Sequence, residues 1–351
     1  MDKINTVFKI GNQEFNNKDP LFIAEIGQVH DGSEGIAHSM IDALAECECK
    51  AIKFQIHLAD YESSNQDLFR MNFSYEDKSR YQYWKRIEFS KLQWQRIINH
   101  CKNKNILVGA SVFSLEALQI ALEIGVDFLK VGSGDLLYED LINAISLIKI
   151  PVIVSSGMAT WSELELIRNK FKTHIELNKF ALLHCTSEYP TKATKIGINN
   201  IYEIEKRLNI LSGLSDHSGN VLTLIYALAK GCKIFEFHIA FDKNMFGPDS
   251  SSSITLEDLK FLNKTNNYFK MLKNETCKDE ACKNLENTKI KFARSIGFKK
   301  NMKKGETITS ENICWRKPGG YLGKNDLDNV IGKKLVKDVN KLDLITIEDI
   351  I

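Results

Sequence analysis

The sequence predicts an α/β protein: a (β/α)8 barrel followed by a small C-terminal, mostly β module. Two observations carry this. Eight short apolar runs lie between Leu21 and His238, separated by segments long enough for a helix. Nearly every run ends in a residue able to bind an anion, a proton or a metal, and barrel chemistry sits at the carboxyl ends of the strands.

The runs, in order, are LFIAEI, AIKFQ, ILVGAS, DFLKV, PVIVS, FALLHC, LSGLSD and IFEFH. Ahead of them, residues 5–16 read as a hairpin around Gly11-Asn12, suited to flooring the amino-terminal end of the barrel. Helices are expected over 35–47, 91–104, 115–124, 139–148, 161–171, 201–208 and 221–229, where apolar residues recur at i, i+3 and i+4. Residues 56–89 form an insertion after the second run, rich in Tyr, Phe, Arg and Asp, and read as a lid or substrate loop. The chain turns charged over 270–291. The expected division is a barrel over 1–270, a linker over 271–291 and a β module over 292–351.

Composition narrows the function. With 43% hydrophobic and 26% charged residues the chain is ordinary for a soluble protein. A net charge of +2 gives no field that would favour nucleic acid or a membrane surface. The N-terminus is too polar for a signal peptide, and no apolar stretch reaches the ~20 residues that span a bilayer. The eight cysteines form no CxxC pair, which argues against structural zinc and for reduced thiols in a cytoplasm.

Three groups of polar residues carry the chemistry. Lys53 and Lys130 stand inside apolar strands, where a charge is costly without an anionic partner. With Ser111, Ser133 and Ser155, and the turns GSG (132–134) and SSG (155–157), they make a phosphate or carboxylate pocket. His217 and His238 follow the seventh and eighth runs, neighbours in a barrel and in reach of Glu25. Imidazole with oxygen ligands suits Mn²⁺, Fe²⁺, Co²⁺ or Zn²⁺ better than Mg²⁺. Glu25, Asp135 and Asp249 supply carboxylates at the same rim, for acid–base work or for clamping a hydroxyl.

The ordered set FIAEIG…HDG, KFQ, LKVGSGDL, VSSGMAT, LLHCTSEYPT, GLSDHSG, FEFHIAFDK and GPD resembles the sialic acid synthases of the N-acetylneuraminate synthase type. The resemblance runs from about Asn12 to the C-terminus. It implies a barrel joined to an antifreeze-like (SAF) domain, and condensation of phosphoenolpyruvate with an N-acylated hexosamine such as N-acetylmannosamine. It also implies a divalent metal (Mn²⁺ first, Mg²⁺ or Co²⁺ as alternatives) and a domain-swapped homodimer. Carried onto matching positions, it puts phosphoenolpyruvate on Lys53, Gln55, Ser111, Lys130, Ser133, Ser155 and Ser187. The metal falls on His217 and His238, the sugar on Tyr189, Asp249, Arg316 and Lys317, and catalysis on Glu25 with Asp135 as its partner.

The sequence departs from the family at Val29-His30-Asp31-Gly32, usually NHNG; at Asp135, usually glutamate; at Glu188; and at Lys317, where an arginine is usual. These changes are expected to fall on the sugar side, with the reaction kept and the sugar altered. Rival readings are a related synthase acting on a phosphorylated sugar, a Schiff-base aldolase using Lys53 or Lys130, and a sugar-binding barrel without turnover.

Overall fold

The computed structural model describes residues 7–70, 73–273 and 277–351 and divides into two units, 1–271 and 272–351. In the first, a hairpin of β1 (Phe8–Ile10) and β2 (Gln13–Phe15) precedes β3 (Leu21–Gly27), β4 (Ala51–Ile56), β5 (Leu107–Val112), β6 (Phe128–Val131), β7 (Val152–Ser155), β8 (Phe180–Cys185), β9 (Ser212–Asp216) and β10 (Ile234–Ala240). Strands β3 to β10 pair in chain order, all parallel, and β10 pairs with both β9 and β3. The sheet therefore closes on itself, and each of the eight apolar runs is one barrel strand. A two-residue strand, β11 (Ile254–Thr255), adds to β10 outside the ring.

Seven helices fall within two residues of their expected bounds, from Glu34–Glu46 through Val221–Ala229. Several begin on the caps that the sequence advertises. Ser90 and Thr160 each accept from the N3 amide and receive a bond back from Gln93 or Glu163. An unexpected helix, Leu256–Leu272, completes the outer ring. Its Asn- and Lys-rich sequence hides a short buried stripe at Leu259 and Leu262.

Period-2 alternation sorts the strand residues. Phe22, Ala24 and Ile26 of β3 face the helices, in the main core. Leu21, Ile23, Ala51, Phe128, Ile153, Ala181, Leu183 and Ile234 face inward and cluster with Phe8, Ile10 and Phe15 of the hairpin. The lower barrel is thus filled with apolar side chains and sealed beneath by three fully buried hairpin residues. Gly109 on β5 makes room for this layer: a Cβ there would overlap the Phe128 ring.

The insertion builds a satellite core of its own. Ala59, Tyr83, Trp84 and Ile87 pack together, with Phe69, Phe73 and Tyr81 against them. Two short helices, Ala59–Glu62 and Arg80–Ile87, frame it. The VHDG departure is absorbed by the main core and by one ion pair to the insertion. Val29 joins the main core, His30 lies against Phe89 and Trp94, and Asp31 pairs with Arg86 at 3.0 Å. The expectation that these positions face a sugar is corrected accordingly.

In the second unit, helices Lys278–Asn284 and Glu286–Phe292 lead into the antiparallel pair β12 (Ser295–Phe298) and β13 (Ile313–Arg316). Three of the 271–291 linker residues, 274–276, lie outside the described residues. Ile296, Phe298, Met302, Ile308, Val330, Leu335, Val339 and Ile345 make a separate small core.

Candidate active site

Immediately above the apolar layer, the inward positions turn charged. Lys53 pairs with Glu25 and, at 3.2 Å, with Glu236, and donates to Ser111 Oγ at 2.7 Å. Lys130 pairs with Glu236 at 2.6 Å. All four are buried. Two ammonium groups face two carboxylates, so the quartet is closed in charge. Burial alone would push the Glu236 carboxyl up, but Lys130 and Lys53 hold it well below the usual range. Burial likewise works against the Lys53 ammonium, and Glu25 and Glu236 overcome it, raising its pKa.

Glu236 was not among the residues expected from sequence. Its signal was present: a carboxylate between Phe235 and Phe237 in an apolar strand needs a buried cation, as the two lysines need an anion.

One position higher stand Gln55, Ser155, Cys185 and His238. Gln55 donates from Nε2 to Glu25 Oε1 at 3.0 Å and accepts from Gln28 Nε2 at 2.9 Å. His57, stacked between Trp84 and Phe113, bridges Gln55 Oε1 at 2.9 Å and Glu62 Oε1 at 2.7 Å. Gln28, His57 and Glu62 are further residues that sequence reasoning missed; Gln28 reaches Gln55 only through the fold, whereas His57 lies close in sequence to both Gln55 and Glu62. The Ser155 hydroxyl is buried and has no hydrogen-bond partner among the described residues.

Ser133 and Ser187 meet at 3.3 Å over Gly157. A Cβ at Gly157 would overlap Ser133 and stand 2.7 Å from Ser187 Oγ, so glycine keeps this concavity open. Three hydroxyls and the ammonium of Lys130 on adjacent strand ends form a site suited to a phosphate or carboxylate.

On the other side of the mouth, His217 Nδ1 lies 3.0 Å from the Thr186 carbonyl, which can only accept. The proton is therefore on Nδ1, and the Nε2 lone pair faces the Tyr189 hydroxyl at 3.1 Å. Burial, with His238 adding to it, pushes the His217 pKa down to about 3 and keeps the ring neutral. His238 Nδ1 is buried without a hydrogen-bond partner, 3.8 Å from Asp249 Oδ2. Among the described residues no cluster of three or more His, Cys, Asp or Glu side chains has metal-site geometry. Arg70, from the insertion, reaches this rim: its guanidinium lies 4.0 Å over the Tyr189 ring and 3.4 Å from Asp249 Oδ1.

Asp135 stands apart from its expected partner, with no hydrogen bond or ion pair to Glu25. Burial, and then Glu62, push its pKa up to about 6, against the pull of Lys130. The unfolded chain releases this proton near 3.8 while the folded chain holds it to about 6, so stability is lost as pH rises across that window. Asp135→Asn is expected to raise stability well above pH 6 by about 3 kcal/mol and to change little below pH 4. Thermal melts from pH 4 to 8 measure this, and equal melting shifts at both ends would refute the buried-acid assignment.

Glu188 pairs with Lys195 at 2.8 Å. Arg316 and Lys317 belong to the second unit. There Arg316 donates to the Phe298 carbonyl at 3.4 Å, and Lys317 lies over the Phe292 ring.

A parallel barrel with paired lysines, a serine-lined anion concavity and two neutral imidazoles at one mouth defines a barrel enzyme working on anionic substrates. The NeuB family model matches residues 40–277 and the SAF domain model residues 293–351; the chain belongs to the NeuB family. It is 26% identical to the N,N'-diacetyllegionaminic acid synthase of Campylobacter jejuni, covering 93% of this chain and 99% of that one. It is 29% identical to a pseudaminic acid synthase of the same species, over 94% and 96% of the two chains. Among solved structures, the N-acetylneuraminic acid synthetase of Leptospira borgpetersenii superposes with a TM-score of 0.70 at 27% identity, covering 82% of this chain and 98% of that one.

Proposed function

We propose that this enzyme condenses phosphoenolpyruvate with an N-acylated amino sugar and water, giving a nine-carbon 3-deoxy-2-keto acid and phosphate. The observation that carries it is the buried quartet of Lys53, Lys130, Glu25 and Glu236 beside the Ser133–Ser187 concavity. A small trianion needs fixed cations and hydroxyl donors out of water: Lys53 and Lys130, held in place by Glu25 and Glu236, supply the first, and Ser133 and Ser187 the second.

In this reading Lys130, Ser133, Ser155 and Ser187 hold the phosphate, and Lys53 with Ser111 and Gln55 holds the carboxylate end. C3 of phosphoenolpyruvate bonds to the aldehyde carbon of the open-chain sugar. Water adds at C2, and the C2–O bond breaks to release phosphate. Glu25, steered by Gln55, moves the proton at the sugar oxygen; Tyr189, Asp249 and Arg70 orient the sugar. Asp135, protonated at mildly acidic pH, is a second proton donor at the opposite rim. Fixing two small substrates in register contributes several kcal/mol of the rate enhancement, on the order of half the entropic advantage available.

His217 and His238 would hold a divalent cation: His217 Nε2 meets the Tyr189 hydroxyl, and His238 Nδ1 has no hydrogen-bond partner among the described residues. Bound there, it would polarise the aldehyde. Mn²⁺ suits a nitrogen–oxygen donor set better than Mg²⁺.

Arg316 and Lys317 are assigned to the sugar of a partner copy in an exchanged homodimer. Among the described residues no helix is long and apolar enough to cross a membrane.

The test is incubation with phosphoenolpyruvate, Mn²⁺ and a panel of acetamido sugars, with and without EDTA. Expected is sugar-dependent, EDTA-sensitive phosphate release with a product of the added three-carbon mass. Borohydride trapping of a lysine with pyruvate would instead establish the aldolase. The ion-paired state of Lys53 and Lys130 argues against that outcome. Sedimentation of the same sample as an active monomer would sink the exchanged dimer.

A further inference from the structure

His57 is buried, 6% exposed, yet no step of the proposed reaction uses it. Its ring lies between Trp84, with centroids 3.8 Å apart and planes 7° from parallel, and Phe113, at 4.6 Å and 4°. Its nitrogens serve two different groups. Nε2 meets Gln55 Oε1 at 2.9 Å, and Nδ1 meets Glu62 Oε1 at 2.7 Å.

Those partners decide where the hydrogens sit. An amide oxygen only accepts, so Nε2 carries a hydrogen and donates it. The amide is oriented at its other end by Glu25, whose Oε1 accepts from Gln55 Nε2 at 3.0 Å. An ionised Glu62 also only accepts, so the ring donates at both nitrogens. To turn the Gln55 amide over, the ring would have to give up its Nε2 hydrogen. Glu62, accepting at Nδ1, holds the ring in the doubly donating form that keeps it.

Gln28 gives no such hold. It donates to Gln55 Oε1 at 2.9 Å, but its own Oε1 has no hydrogen-bond partner among the described residues. Its amide is therefore free to turn with that of Gln55, whereas His57 is fixed by Glu62 and by the two flat faces around it.

The difference matters while Glu25 holds a proton. In the proposed reaction, on which this inference rests, Glu25 takes up a proton and returns it. An amide free to turn would then offer its oxygen, bond to the protonated acid and hold the proton there. With the amide held, the acid meets an N–H instead and gives the proton back. We propose that His57, fixed by Glu62, is the positioning residue that keeps the Gln55 nitrogen on Glu25 throughout proton transfer.

The test joins magnetic resonance to kinetics on the full chain. In protein carrying nitrogen-15 histidine, the His57 ring is expected to show a hydrogen on Nε2, recognised by its loss in the variant below. This is read on the parent and depends on no variant's stability or rate; an Nε2 without hydrogen would overturn the role. His57→Phe combined with Glu62→Leu keeps a ring between Trp84 and Phe113 and strands no buried carboxylate. With phosphoenolpyruvate, Mn²⁺ and the sugar that the parent turns over, kcat is expected to fall at least about tenfold, with both KM values within about threefold of the parent's. His57→Gln, whose amide nitrogen can stand in for Nε2, is expected to recover most of that loss. With Gln55→Leu already in place, the paired change is expected to cost no more than about twofold further, because the residue it acts through is gone. An unchanged kcat, a loss carried by KM, no recovery with His57→Gln, or a full further loss beside Gln55→Leu would each overturn the role while leaving the synthase standing. A parent that turns over no sugar would overturn the synthase, and this role with it.

Discussion

Glu236→Ala is expected to cost the barrel about 3–5 kcal/mol and to remove measurable turnover, because it strands the buried Lys130 ammonium and takes one of two carboxylates from Lys53. Lys53 keeps Glu25, but Lys130 has no other carboxylate within ion-pair distance among the described residues. The melting temperature is expected to fall on the order of 10 °C. Glu236→Gln keeps the volume and two hydrogen-bonding atoms but not the charge, so it should recover packing without recovering the ion pairs. A Glu236→Ala protein as stable as the parent would mean that the lysines are not held charged, and the anion site would lose its basis.

The second large effect runs the other way round. Lys130→Met leaves two buried carboxylates, Glu25 and Glu236, facing the single ammonium of Lys53. The layer then carries an uncompensated charge, and without Lys130 burial drives the Glu236 carboxyl towards taking up a proton. Stability is therefore expected to fall by about 3–5 kcal/mol at neutral pH and by less in mild acid, while kcat/KM for phosphoenolpyruvate falls by roughly 10³ through the lost phosphate contact. A purely structural network predicts that turnover returns where acid restores stability, whereas an anion site keeps turnover low at every pH. Steady-state phosphate release and thermal melts across pH decide between them.

Much of this arrangement is legible in the sequence for a definite reason. A parallel strand buried on both faces tolerates only apolar residues, so each polar residue at the end of a run stands out against its neighbours. That contrast marks Lys53, Lys130, Ser155 and His238. The same contrast was available at Glu236, and the pairing requirement that makes lysines conspicuous applies equally to a carboxylate. The helix Leu256–Leu272 was hidden because only Leu259 and Leu262 are buried, too few to set a period. Gln28 and Arg70 were illegible for another reason. They act through partners far along the chain, Gln55 and Asp249, and nothing local announces those pairs; His57 sits two residues from Gln55, and that local pair was simply overlooked. The departures at His30 and Asp31 looked like changes in recognition. They are accommodations to Phe89, Trp94 and Arg86, which no pattern in the segment itself could reveal.

The hairpin beneath the barrel has a consequence for order in time. With Phe8, Ile10 and Phe15 closing the lower end, the barrel is a vessel with one opening. The lysine–glutamate layer lies below the level of Gln55 and His238. Whatever occupies that lower layer must arrive before the molecule above it and can depart only after that molecule has gone. For the proposed reaction, traffic is then last in, first out: an anion that reaches down to Lys53 and Lys130 loads ahead of the sugar, and anything still held by those lysines waits for the long acid to leave.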